Sequence, residues 1–221
     1  MILGYPQMET VLEFGGSKVP TLVIESPIFL RRFVMDLYGQ MQGQEGELVL
    51  SDDGKTLPIS GWVEVIENCL TFQLNTKALL SKVNAALEKA AVSEGFFLKT
   101  AELLQKLESY MGELAFAFDC DIVCQHCTPA GVVKAMSPHL RDEYDDPLER
   151  LIDYMELVRE FDRDKLFVLL HLRSYFDDGQ ISAFLQTASA HGYRILLVDT
   201  ADRGNLWQES RVTIDKDMCE F

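Results

Sequence analysis

The stretch that most constrains the fold is residues 165–200, KLFVLLHLRSYFDDGQISAFLQTASAHGYRILLVDT. Residues 166–172 form an apolar run broken only by His171, and residues 193–198 form a second that ends at Asp199. Runs of this length without alternation predict strands buried on both faces. Between them Ile181, Phe184, Leu185 and Ala188 recur at helical spacing, Asp177 or Asp178 is placed to cap the helix, and Gly192 stops it. A strand, helix and strand in this order predict parallel neighbours, which need cover on both faces. The rest of the chain must therefore supply helices and further strands.

Upstream, residues 11–14 and 19–24 flank Gly15-Gly16-Ser17 and read as a hairpin. Ser26-Pro27 opens a helix whose apolar face carries Phe29, Phe33, Val34, Leu37 and Met41, leaving Arg31 and Arg32 on or beside the opposite face. A second hairpin is predicted around Ser51-Asp52-Asp53-Gly54, and a strand over residues 62–66. From Thr76 the pattern turns helical. Leu79, Leu80, Val83, Leu87 and Ala90 form one stripe, and Leu104, Leu107, Met111, Leu114 and Phe118 keep alternating three-four spacing on a longer helix. Residues 129–136 predict a short helix, and Pro147 opens another through Leu148, Leu151, Ile152, Met155 and Val158. Strands, then helices, then strands predict an α/β head made from residues 1–75 and 161–221, with a helical leg domain inserted over residues 76–160.

The net charge of -15 argues against a nucleic-acid partner until its distribution is considered. Residues 61–118 carry five lysines against seven acids, whereas residues 119–165 carry six basic residues against twelve. The acid is concentrated, which leaves room for a local basic surface. Arg31, Arg32, Lys82, Lys89, Lys99, Lys106 and Lys134 are the candidates for phosphate contact, and oligomerisation around a symmetric opening would gather them. No run of about 18 apolar residues predicts a membrane span, and the N-terminus does not read as a signal peptide. With five cysteines, an odd number, the chain reads as cytoplasmic with reduced thiols.

Three constellations carry possible chemistry. Residues 195–199, ILLVD, have the form of a Walker B strand, but no G-x-x-x-x-G-K-[ST] accompanies it, and Gly15-Gly16-Ser17-Lys18 lies between strands. The alternatives are an NTPase using Asp199, or an acid that merely ends a buried strand. Cys120, Cys124 and Cys127 match C-x3-C-x2-C, the spacing of an iron-sulfur site, and His126 beside Cys124 and Cys127 suggests zinc; ordinary free thiols are the alternative. Asp119, Asp121, Asp142, Glu143, Asp145, Asp146 and Glu149 are hard oxygen donors suited to calcium, or else a solvated acidic face. His171, inside an apolar run, reads as a core residue.

The order of segments TLVIESPIFLRRFVMDLY, ELVLSDDGKTL, LTFQLNTKALLSKVNAALE, MGELAFAF, KLFVLLHL, RILLVD and RVTIDKD resembles the small DNA-end-binding adaptation protein of type II-A CRISPR systems. The resemblance runs the full length, and the closing segment is its most specific part. It implies a head with a degenerate P-loop-NTPase-like sheet that hydrolyses no nucleotide, helical legs, and a homotetrameric ring. It also implies sequence-independent binding of linear double-stranded DNA ends through a lysine-lined opening, in spacer acquisition beside the integrase pair and the effector nuclease. Calcium is implied as the ion that holds the ring, with Asp119, Asp121, Glu143, Asp145 and Asp146 as its candidate ligands here. An acidic scaffold whose helical insertion binds proteins is the remaining alternative.

Overall fold

A computed structural model describes all residues, 1–221. The chain divides into two compact units, residues 1–72 with 144–221, and residues 73–143.

The first unit holds nine strands, β1 (Ile2–Gly4), β2 (Leu12–Glu13), β3 (Val19–Ile24), β4 (Val49–Asp52), β5 (Lys55–Leu57), β6 (Val63–Ile66), β7 (Leu166–Leu170), β8 (Arg194–Asp199) and β9 (Glu209–Ile214). Its helices are α1 (Pro27–Met41), the short turn α2 (Ile59–Trp62), α6 (Pro147–Phe161) and α7 (Asp178–Ala190). The second unit holds α3 (Lys77–Ala91), α4 (Phe97–Ala115) and α5 (Pro129–Met136).

Five strands form an all-parallel sheet in the order β6-β7-β8-β3-β9, and β2-β1-β4-β5 form an antiparallel one. The predicted strand-helix-strand unit is β7-α7-β8, with the two strands paired from Leu166↔Arg194 to Leu170↔Val198. Asp177 caps α7 through a reciprocal capping box with Gln180, and Gly192 takes φ +72 just beyond its end. Because strand side chains alternate, Leu166, Val168 and Leu170 join one core with Leu22, Ile24, Leu196 and Val198. That core is closed by Phe29, Phe33 and Leu37 of α1 and by Leu3, Leu12 and Leu50 of the small sheet. Phe167 points the other way, where its ring meets Tyr154 of α6 at 6.4 Å.

The first expected hairpin does not form. Residues 12–13 pair with β1 in the small sheet, whereas every residue of β3 is buried inside the parallel sheet, between β8 and β9. The unbroken apolar run Val19–Ile24 needs cover on both faces, which a two-stranded ribbon does not supply. The second hairpin is present as β4 and β5, turning through Asp53 (φ +46) and Gly54 (φ +74).

The helical insertion ends earlier than residue 160. α6 belongs to the first unit, with Leu148, Leu151, Tyr154, Met155 and Val158 buried. Tyr154 donates to Glu64 of edge strand β6 at 2.9 Å, and the same carboxylate accepts from Lys165 at 2.8 Å. This polar clasp and the buried stripe are why the helix stays with the sheet. His171 also departs from expectation: β7 stops at Leu170, and His171 is a half-buried residue in the left-handed region at φ +58.

Candidate functional site

In the parallel sheet, the C-terminal edges of β3 and β8 are where an NTPase would hold phosphate. Only Glu25 and Ser26 separate β3 from α1. Ser26 is spent on capping, its Oγ accepting from the Phe29 N–H at 3.4 Å. Two residues give no loop of amides to wrap a phosphate, so the first strand-helix connection offers no cradle.

Asp199 ends β8 and is 2 % exposed. Its Oδ2 has no hydrogen-bond partner. Register explains its surroundings: Val19, Thr21 and Val23 share a face of β3, and opposite them stand Glu209, Arg211 and Thr213 on one side and Leu197 and Asp199 on the other. This part of the sheet is therefore polar inside. Arg173, 3 % exposed, reaches the fully buried Glu209 at 3.2 Å and Asp178 at 2.8 Å. It also donates to the carbonyls of Gly204 (2.8 Å) and Arg203 (3.2 Å), and Arg211 pairs with Glu209 and Asp202. The connection of residues 200–208 is thus pinned to the sheet by two guanidinium groups. Sequence reasoning missed this network.

Desolvation raises the Asp199 carboxyl above the ordinary carboxylate range; His171, Arg173 and Arg203 pull it down without cancelling the effect. The folded state therefore binds this proton more tightly than the unfolded chain does. Stability from it is present at low pH and is lost as pH rises through the folded value. Asp199→Asn keeps the size of the side chain and removes the group whose ionisation burial opposes, so its unfolding free energy is expected to exceed that of the parent increasingly as pH rises. Urea unfolding across acid to neutral pH checks it: the gap between variant and parent widens as pH rises.

The basic candidates are divided between the units. Arg31 and Arg32 are exposed on α1. In the second unit Lys82 and Lys89 lie seven apart on α3, Lys99 and Lys106 seven apart on α4, and Lys134 lies on α5. The structure brings Lys134 into a groove of about 740 Å³ lined by Ser81, Asn84 and Glu88 of α3 and by His139. The charge is divided too: the second unit carries 7 basic and 9 acidic residues, the first 13 and 26. Nearly all the net negative charge therefore belongs to the sheet-bearing unit. α4 buries no residue, and Leu107, Met111 and Leu114 of its apolar seam are exposed.

The carboxylates expected to hold calcium are divided between the units, Asp119, Asp121 and Glu143 in the second and Asp145 and Asp146 in the first. Asp119 and Asp121 line an exposed hollow beyond the end of α4. Glu143 pairs loosely with Arg141 at 3.7 Å, and Asp146 caps α6, accepting from the Leu148 N–H at 2.8 Å. No three carboxylate, thiol or imidazole groups converge at metal-binding distance. Calcium takes six to eight oxygens, and no such set is gathered within either unit. The thiols differ in one respect. Cys124, His126 and Cys127 line a single cleft with Glu108, whose Oε1 accepts from the Cys127 N–H at 2.9 Å and lies 3.2 Å from His126 Nδ1.

A protein-family model described as CRISPR-associated protein (Cas_Csn2) matches residues 40–218. No curated protein matches the chain.

Proposed function

Since the chain belongs to the CRISPR-associated Cas_Csn2 family, we propose that it is a non-catalytic, sequence-independent binder of linear double-stranded DNA ends. In this reading it works in the cytoplasm as a homotetrameric ring during spacer acquisition, beside the integrase pair and the effector nuclease. The observation that carries the reading is the family match, which extends through both units.

Four features support it. The near-balanced charge of the helical unit, against the strongly acidic sheet-bearing unit, gives a polyanion one surface to approach and another that repels it. Five of the seven candidate phosphate contacts lie on that helical unit, and fourfold repetition would multiply each. The exposed seam of α4 is an apolar surface available for self-association. The missing phosphate cradle speaks for an NTPase-like sheet that has no nucleotide chemistry. No step of this reading runs through calcium.

The test is binding to two linear duplexes of equal length and unrelated sequence, with ATP present. Equal affinities, a steep fall with salt and no ATP consumption are expected. A preferred sequence, or turnover that depends on Asp199, would replace this reading with a sequence-specific or an enzymatic one.

A further inference from the structure

We propose that residues 120–127 form a soft-metal site for zinc, with the thiolates of Cys120, Cys124 and Cys127 and the imidazole of His126 as its four ligands. Three sulfurs and one nitrogen make a set that tetrahedral zinc takes in structural sites. Four of the five cysteines are exposed or half-exposed, and three of those four fall in this one segment. Cys69 is the contrast: it is buried, and burial pushes its thiol up to about 11, as expected of an inert core residue.

The observation that points to a metal is the environment of His126. Glu108, on α4, lies 3.2 Å from its Nδ1, and the same oxygen accepts the Cys127 N–H at 2.9 Å. An ionised carboxylate only accepts, so Nδ1 carries the proton and donates it to Glu108. The lone pair of His126 is then on Nε2, on the far side of a ring whose side chain is 98 % exposed. A carboxylate that fixes the tautomer and leaves the other nitrogen available is the usual outer support of a zinc-bound histidine. A histidine serving only as half of a surface ion pair needs no cysteines around it.

Cys124, His126 and Cys127 line the same cleft, of about 470 Å³, and Cys120 lines the adjoining hollow, which shares Gly112, Ala115 and Ile122 with it. The four donors do not yet meet at bonding distance. Residues 121–128 have neither helix nor strand, so closing them over an ion breaks no backbone ladder. Zinc binding therefore orders the connection between α4 and α5, and releases the thiol protons as it does so.

The experiment loads chelator-treated full-length protein with cobalt and then displaces it with zinc, read by absorption and by metal content after gel filtration. One ion per chain is expected, with thiolate-to-cobalt charge-transfer bands that zinc abolishes. Cys124→Ser with Cys127→Ser removes the bands. Glu108→Gln, which deletes no ligand, weakens zinc binding by about 10–100-fold. Cys219→Ser, an exposed thiol elsewhere, leaves both unchanged. Absence of the bands, zinc well below one per chain, or equal binding by the double serine variant overturns the proposal; so does an iron chromophore in place of zinc.

Discussion

Glu209→Ala is expected to lower the unfolding free energy of the sheet-bearing unit by about 3–5 kcal/mol, the range for breaking one side of a buried ion pair. Glu209 is fully buried where β9 begins. Its carboxylate accepts from Arg173 at 3.2 and 3.3 Å, from Arg211 at 3.3 Å and from the Leu206 N–H at 3.0 Å. Truncation leaves the guanidinium of Arg173, 3 % exposed, without the carboxylate that compensates its desolvation. Asp178 is largely exposed and replaces little of that. The connection of residues 200–208 loses its anchor at the same time. Urea unfolding of Glu209→Ala beside Arg203→Ala checks this. Arg203 is an exposed side chain, and its removal is expected to stay within about 0.5 kcal/mol. A loss under about 1 kcal/mol for Glu209→Ala would mean that water reaches the network and screens it.

The second large effect concerns DNA. Lys89→Glu, Lys99→Glu and Lys106→Glu together are expected to weaken duplex binding by at least about tenfold near physiological salt. The slope of log K against log salt is expected to become shallower by about 0.9 for each phosphate that is no longer neutralised. These three lysines are exposed on α3 and α4. Reversing them makes the helical unit acidic as well, so a polyanion would meet repulsion on both units. The fold is expected to be unaffected, because exposed helix positions tolerate such changes. Arg31→Glu with Arg32→Glu, on the acidic unit, separates a local phosphate interaction from a general charge effect. An unchanged slope in the triple variant would remove these lysines from the interface.

How much of the fold is legible in sequence depends on how far apart the interacting residues lie. β7-α7-β8 is readable because each signal is local: an unbroken apolar run, a capping aspartate, a terminal glycine. The helix of residues 147–161 is readable as a helix, but its home is not. Its allegiance rests on Tyr154 meeting Glu64, which lies 90 residues away. The hairpin expected around Gly15-Gly16 fails because a turn signal says nothing about which sheet receives the strand that follows. Glu209 and Arg211 look like the solvent face of an edge strand, since Glu-Ser-Arg-Val-Thr-Ile carries no mark that residues 200–208 will cover it. Arg173, 36 residues from Glu209, gives no sequence hint of the pair. The same holds in the cysteine segment: the C-x3-C-x2-C spacing is visible, whereas the carboxylate that orients His126 comes from 18 residues upstream on another element.

The family match supplies the CRISPR-associated role, and the geometry adds a sheet without a phosphate cradle, a near-neutral helical unit and an exposed helix seam. The proposed ring joins these, since an opening lined by repeated lysines accepts a duplex only at an end. The most direct measurement compares one duplex sequence as a linear molecule and as a closed circle, with the mass of the protein read by light scattering at the same concentration. The account predicts a tetramer that binds the linear form and leaves the circle free. Equal binding of both forms, or binding by a monomer, would contradict it and place DNA on an outer surface.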